Sequence, residues 1–226
     1  MDKYNIRKYG IKKYDAVIFD LDGTLLNTIE DLADGVNYCM RKFCCPERTL
    51  EEIRQFVGNG IRKLMERSVP MGTENPEFEK MFEAFKEYYT EHCQIKTRAY
   101  PGIEELLSKL TEKGCKLAIV SNKNMDAVRQ LNSLYFETYI KLAVGEQQGV
   151  RKKPCPDSVY QAIQELQTDK EHVLYVGDSE VDKETADNAG VDCILVSWGF
   201  REKDMLLKLK PLAVIDKPEE LLSFFS

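Results

Sequence analysis

Short apolar runs rich in Val, Ile and Leu recur at residues 16–19, 117–120, 173–176 and 193–196, each too short for a buried helix. Between them lie segments whose apolar residues repeat at helical spacing. Strands that are apolar at every position are covered on both faces, and this requires a parallel sheet wrapped by helices. The second half of the chain keeps that rhythm. A helix carrying Leu106, Leu107 and Leu110 ends near Gly114, and another at 125–134 leads to a strand at 139–144. A helix with Val159, Ala162, Ile163 and Leu166 precedes the run at 173–176. The helix from Val181 to Ala189 is closed by Gly190, and a short strand at 213–215 and a terminal helix end the chain.

The rhythm is broken once, directly after the first run. Ile29, Leu32, Ala33, Val36, Met40 and Phe43 recur at helical spacing. Thr49 and Glu52 form a capping box ahead of Ile53, Phe56 and Val57. Asn75 and Pro76 read as the N-cap and first position of a helix with the stripe Phe78, Met81, Phe82, Phe85, Tyr88 and Tyr89. The expectation is an α/β fold: a doubly wound parallel sheet core from residues 1–28 and 96–226, with an all-helical cap inserted at 29–95. A chain of 226 residues is long enough for both.

Composition removes several classes of function. The net charge of -6 gives no electrostatic support to a nucleic-acid-binding role. The apolar runs are far too short to span a bilayer. The opening segment MDKYNIRKYGIKKYD is basic but lacks an apolar stretch, so it reads as a solvated lead-in and not as a secretory signal. Seven cysteines without a CxxC pair, and only His92 and His172 beside them, argue against a disulfide framework or a zinc site. A reducing, cytoplasmic setting is expected. The sequence sets no oligomeric state.

Ligands of such sheets bind at the carboxyl ends of the strands. Asp20 and Asp22 follow the first run, Ser121, Asn122 and Lys123 the second, and Gly177, Asp178, Ser179 and Asp182 the third. Lys152 and Lys153 precede Pro154 in a loop after the strand at 139–144. Two carboxylates two residues apart on an extended segment repel, so either the pair faces open water or a cation lies between them. Asp20, Asp22 and Asp178 offer oxygens suited to a magnesium ion, while Ser121 and Lys153 suit a phosphate. Singly, each residue has an ordinary structural role. Jointly, at successive strand ends, they describe phosphoryl transfer.

The set resembles the haloacid dehalogenase superfamily, in its phosphoglycolate phosphatase-like branch. DLDGTLLNT is similar to its first motif, VSN to its second, Lys153 in KKPCP to its third and GDSEVD to its fourth. The resemblance implies that Asp20 is a nucleophile carrying an aspartyl-phosphate, and that Asp22 is the general acid and base. It further implies Mg2+ held by Asp20, the Asp22 carbonyl and Asp178, with Asp182 behind them or steering Lys153. Ser121, Asn122 and Lys153 would bind the transferring phosphoryl group, and Thr24 would order the first turn. In the cap, FVGNGIRKLMERS implies that Gly58, Asn59 and Gly60 approach a small phosphorylated metabolite, with Arg62 meeting its carboxylate. Asn27-Thr28 departs from the Asp-Ser frequent in the family. The second acid at Asp22 disfavours a carbon–halogen hydrolase. A Mg-dependent phosphatase of small phosphomonoesters, 2-phosphoglycolate first among them, is the expectation. A sugar-phosphate mutase, a pyrophosphatase or a nucleotidase on the same core are alternatives, as is a phosphonate hydrolase using Lys63. The non-enzyme alternative is a phosphate-ligand sensor.

Overall fold

A computed structural model describes residues 14–225; residues 1–13 of the basic lead-in lie outside them. Strands β1 (Ala16–Phe19) and β2 (Leu26–Asn27) precede helices α1 (Ile29–Lys42), α2 (Leu50–Phe56), α3 (Ile61–Ser68) and α4 (Phe78–His92). The chain then runs β3 (Arg98–Ala99), α5 (Ile103–Glu112), β4 (Lys116–Asn124), α6 (Met125–Tyr135), β5 (Leu142–Glu146) and α7 (Asp157–Leu166). It ends with β6 (Val173–Gly177), α8 (Glu180–Ala189), β7 (Asp192–Val196), α9 (Lys203–Lys208) and β8 (Ala213–Ile215).

Six of these strands form one parallel sheet in the order β5-β4-β1-β6-β7-β8. Alternate residues serve opposite faces. Val17, Phe19, Leu117, Ile119, Leu174 and Val176 pack with α5 and α6, while Ala16, Ile18, Ala118, Val120, Val173 and Tyr175 pack with α7 and α8. Burial on both sides is why these runs are apolar at every position. Each buried Val, Ile, Leu or Phe contributes about 1.5–3 kcal/mol. Among the described residues, no helix is long and apolar enough to cross a membrane.

Helices α1 to α4 build a second cluster around Val36, Met40, Ile53, Met65, Met81 and Phe85, joined by Phe200 from the loop after β7. The chain enters this helical block from β2 and leaves it into β3, which pair antiparallel through Leu26–Ala99 and Asn27–Arg98. Buried Asp31 in the first turn of α1 accepts the backbone N–H of Lys96 at 2.9 Å and of Thr97 at 2.8 Å, which ties the exit to the entrance.

Three local expectations shift. The strand expected at 139–144 begins at Leu142, because the N–H groups of Tyr139 and Ile140 turn back onto Phe136 O at 2.8 Å. The terminal helix is a 3-10 segment, Pro218–Phe224. Helix α4 starts at Phe78 with Glu77 as its N-cap, and the Asn75 side chain accepts Glu77 N–H at 2.9 Å from two residues ahead of that cap. The capping box of Thr49 and Glu52 is present.

Candidate functional site

Strands β4, β1 and β6 are neighbours at the centre of the sheet, so their carboxyl ends converge. Asp20 follows β1 and is held in register by its N–H on Val176 O at 2.8 Å. Asp178 follows β6, and Ser121 to Lys123 occupy the end of β4. The turn after Asp22 requires glycine. Gly23 has φ of +87°, and a Cβ there would lie 2.3 Å from Asp178 Oδ2.

One buried ammonium organises the centre. Lys153 Nζ donates to Asp20 Oδ1 at 2.7 Å, to Asp182 Oδ1 at 2.8 Å and to the Tyr175 hydroxyl at 3.1 Å. Burial alone would discharge it, but the carboxylates of Asp182 and Asp20 outweigh that and raise its pKa well above the usual lysine value. Asp182 is in turn fully partnered. Its Oδ2 accepts the Ser179 hydroxyl at 2.6 Å and the N–H groups of Asp178 and Ser179 at 3.2 Å, a capping box for α8. Asp178 Oδ2 accepts the N–H of Phe200 at 2.7 Å.

Asp20, Asp178 and Asp182 bring carboxylate oxygens within 4.8 Å of one another. Burial raises the Asp20 carboxyl to about 7, with Lys153 opposing and Asp182 adding to the rise. Burial, then the charges of Asp182 and Asp20, raises Asp178 well above the carboxylate range. Acids pressed together until their charge is disfavoured fit a divalent cation, which would reverse both effects. Since Asp182 spends its oxygens on protein donors, Asp20 and Asp178 are the residues whose remaining oxygens suit the ion.

Asp22 stands apart from that cluster. Its carboxylate faces Lys123 Nζ at 3.0 and 3.3 Å, and the same ammonium donates to the Tyr89 hydroxyl on α4 at 2.7 Å. The helical block closes the other side. Gly58, Asn59, Gly60 and Ile61 line one cavity with Asp20, Asp22, Ser121, Asn122, Lys153 and Asp178. The loop sits close: a Cβ on Gly60 would be 3.4 Å from Asn122 O. Arg201 lines it too, donating to Arg54 O in α2 at 3.2 Å and to Val57 O just past its end at 2.7 Å while paired with Glu180 at 2.8 Å.

Four expected residues have contacts that the sequence does not announce. Arg62 is absent from the cavity lining; it pairs with Glu79 and Glu66 and stacks on Phe78 and Phe82, on the outer side of the helical block. Those carboxylates and rings satisfy it where it is. The Asn122 amide grips the Lys153 backbone, accepting its N–H at 2.8 Å and donating to its carbonyl at 3.0 Å, so the residue positions Lys153 as well as lining the cavity. The Thr24 hydroxyl is buried without a partner, and the residue acts through its carbonyl, which accepts Trp198 Nε1–H at 3.0 Å. The Asp22 side chain joins Lys123 and not the other acids. Lys123 is legible in the sequence only as a strand-end residue. Phe200 and Arg201 follow a strand in the run WGFR, and Tyr89 is hidden in an apolar stripe.

Comparison with known proteins identifies the family. The pattern of the haloacid dehalogenase-like hydrolases matches residues 17–196. The chain is 32% identical to a phosphoglycolate phosphatase of Aquifex aeolicus, over 81% of this chain and 85% of that one. It is 30% identical to phosphoglycolate phosphatase 1 of Pseudomonas aeruginosa, over 91% and 78% respectively. A crystal structure of a phosphoglycolate phosphatase candidate from Lactobacillus delbrueckii superposes with a TM-score of 0.90 at 35% identity, over 95% of this chain and 99% of that one. The chain belongs to the haloacid dehalogenase-like hydrolases.

Proposed function

We propose that the protein is a magnesium-dependent phosphatase of small phosphomonoesters, with 2-phosphoglycolate its leading substrate, acting through an aspartyl-phosphate on Asp20. The observation that carries this is the buried cluster of Asp20, Lys153, Asp178 and Asp182 beneath a cavity that Asp22 also lines. Phosphatase relatives of similar length support it.

In the first half-reaction an Asp20 oxygen forms a bond to phosphorus as the bond to the leaving oxygen breaks, and Asp22 delivers a proton to that oxygen. In the second, Asp22 takes a proton from water, whose oxygen attacks phosphorus and breaks the Asp20–phosphorus link. Inorganic phosphate leaves and both acids return to their starting states. Lys153 fixes Asp20 for attack and offsets its charge, with Asn122 anchoring the lysine backbone and Asp182 and Tyr175 aiming its head. Ser121, which lines the cavity, offers its hydroxyl to the phosphoryl oxygens. The Asp20 and Asp178 carboxylates and the Asp22 carbonyl would hold the ion, which when bound supplies positive charge against the phosphoryl oxygens.

The test is phosphate release from a panel of phosphorylated metabolites with and without magnesium, joined to mass spectrometry of the enzyme quenched during turnover. Magnesium-dependent release and a phosphate adduct on Asp20 are expected. Turnover with no adduct on Asp20 would falsify the covalent route, and turnover of other monoesters but not 2-phosphoglycolate would remove the substrate assignment.

A further inference from the structure

We infer that Lys123 receives the anionic end of the leaving group, with Tyr89 of the helical block bracing it. The inference rests on the proposed phosphatase reading and supplies the carboxylate partner that Arg62 does not.

Among the described residues, the cations lining the cavity are Lys123, Lys153 and Arg201. A lysine head has three donors, and those of Lys153 go to Asp20, Asp182 and Tyr175. Arg201 is engaged at all three nitrogens by Glu180 and the carbonyls of Arg54 and Val57. Lys123 faces a single carboxylate, Asp22 at 3.0 and 3.3 Å, and the neutral Tyr89 hydroxyl at 2.7 Å, whereas Lys153 is shared by two carboxylates, so the Lys123 ammonium has the weaker claim on it and can turn to an arriving anion. Its side chain is 3% exposed, so an anion meeting it would do so out of bulk water, where the attraction is strong.

Position selects the same residue. Asp22 is the group proposed to protonate the leaving oxygen, and Lys123 Nζ is 3.0 Å from it. A substituent one or two bonds from that oxygen therefore lies beside the ammonium. The substrate class this favours is a monoester whose alcohol carries an anion on the adjacent carbon, as glycolate does. Tyr89 accepts a hydrogen bond from Lys123, so its own O–H remains a donor next to the same point. The bland alternative is that Lys123 only neutralises Asp22. That role would affect every substrate equally.

The experiment compares 2-phosphoglycolate with 2-hydroxyethyl phosphate, of the same length with a neutral end, on wild type, Lys123→Met, Lys123→Arg and Tyr89→Phe. Lys123→Met should lower kcat/KM for 2-phosphoglycolate about a hundredfold more than for the neutral ester. Lys123→Arg should keep most of the preference, and Tyr89→Phe should lose a smaller part of it. An equal fall on both substrates, or a preference that survives Lys123→Met, overturns the inference. A wild-type enzyme that hydrolyses both esters without preference removes the substrate reading, and this role with it. Should Lys123→Met fail to fold, the other two variants report the same ratio, and unchanged discrimination in Tyr89→Phe together with lost discrimination in Lys123→Arg decides against a simple charge contact.

Discussion

Lys153 and Asp20 form a buried ion pair, Nζ to Oδ1 2.7 Å, in which neither side chain is more than a tenth exposed. Lys153 is the counter-charge of both Asp20 and Asp182, so removing the lysine strands carboxylates in a poor solvent, at a cost of about 3–5 kcal/mol, whereas removing Asp20 leaves the ammonium paired with Asp182. Lys153→Met should therefore destabilise the protein by about that amount in the absence of metal and abolish turnover. Adding Asp20→Asn should restore about 1–3 kcal/mol of the loss, since one of the two stranded carboxylates is gone. Denaturant unfolding of the four members of the cycle measures this; strictly additive effects would mean that the pair carries no coupling.

Asp20→Asn alone separates stability from activity. Burial lifts the Asp20 carboxyl to about 7, so the native state binds a proton that the unfolded chain, titrating near its ordinary value, has already released. More protons on the native state mean that stability falls as pH rises between these two values. The metal-free variant should thus match wild type near pH 4 and gain on it toward pH 8, while turnover drops more than about a thousandfold. Melting temperatures of both proteins across that range are the check, and a variant less stable than wild type at pH 8 would contradict the assignment.

The same sign governs metal. Protons and a divalent cation compete for Asp20 and Asp178, both raised by burial and by the charge of Asp182. Magnesium should bind more tightly at pH 8 than at pH 5, and its stabilisation, about 2.7 kcal/mol at a hundredfold excess over Kd, should shrink as pH falls. Calorimetric titration at the two values tests this; equal affinities would place the ion elsewhere.

The parallel core was legible because its strands are buried on both faces. That condition writes Val17, Ile18 and Phe19 as an unbroken apolar run that no solvent-facing strand would carry. The acids were legible because Asp20 and Asp178 stand where strands stop. What escaped were contacts made across long separations by residues with ordinary local reasons to exist. Tyr89 sits in an apolar stripe, and only the placement of α4 against β4 brings its hydroxyl to Lys123, 34 positions away. Arg62 misled for the converse reason. Its spacing from the glycines suggests the cavity, but Glu66 one turn on and Glu79 on the facing helix draw the guanidinium outward. Strands β2 and β3, two residues each, are too short to show any alternation.

Arg62→Ala should consequently be nearly silent. Its side chain is 43% exposed and its pair with Glu79 lies on the surface, where such contacts contribute about 0–1 kcal/mol. The Michaelis constants for carboxylated and neutral monoesters should both change less than about twofold. A selective rise for carboxylated substrates would return Arg62 to the site and weaken the case for Lys123.

Arg201→Ala should do the opposite, acting on the seat of the helical block. Arg201 clasps the carbonyl end of α2 through Arg54 O and Val57 O and is itself held by Glu180. Its neighbour Phe200 places its ring in the helical cluster while its N–H holds Asp178. One short loop thereby links the position of the block to the orientation of a proposed metal ligand. Losing the guanidinium frees two carbonyls and leaves Glu180 unpaired, a loss of about 1–3 kcal/mol. Both the substrate KM and the magnesium requirement should rise, each about tenfold. Arg201→Lys should recover little, because an ammonium cannot fork between Glu180 and two carbonyls. Steady-state kinetics at varied magnesium distinguish this from a general loss of fold, which would lower the active fraction and leave both constants where they were.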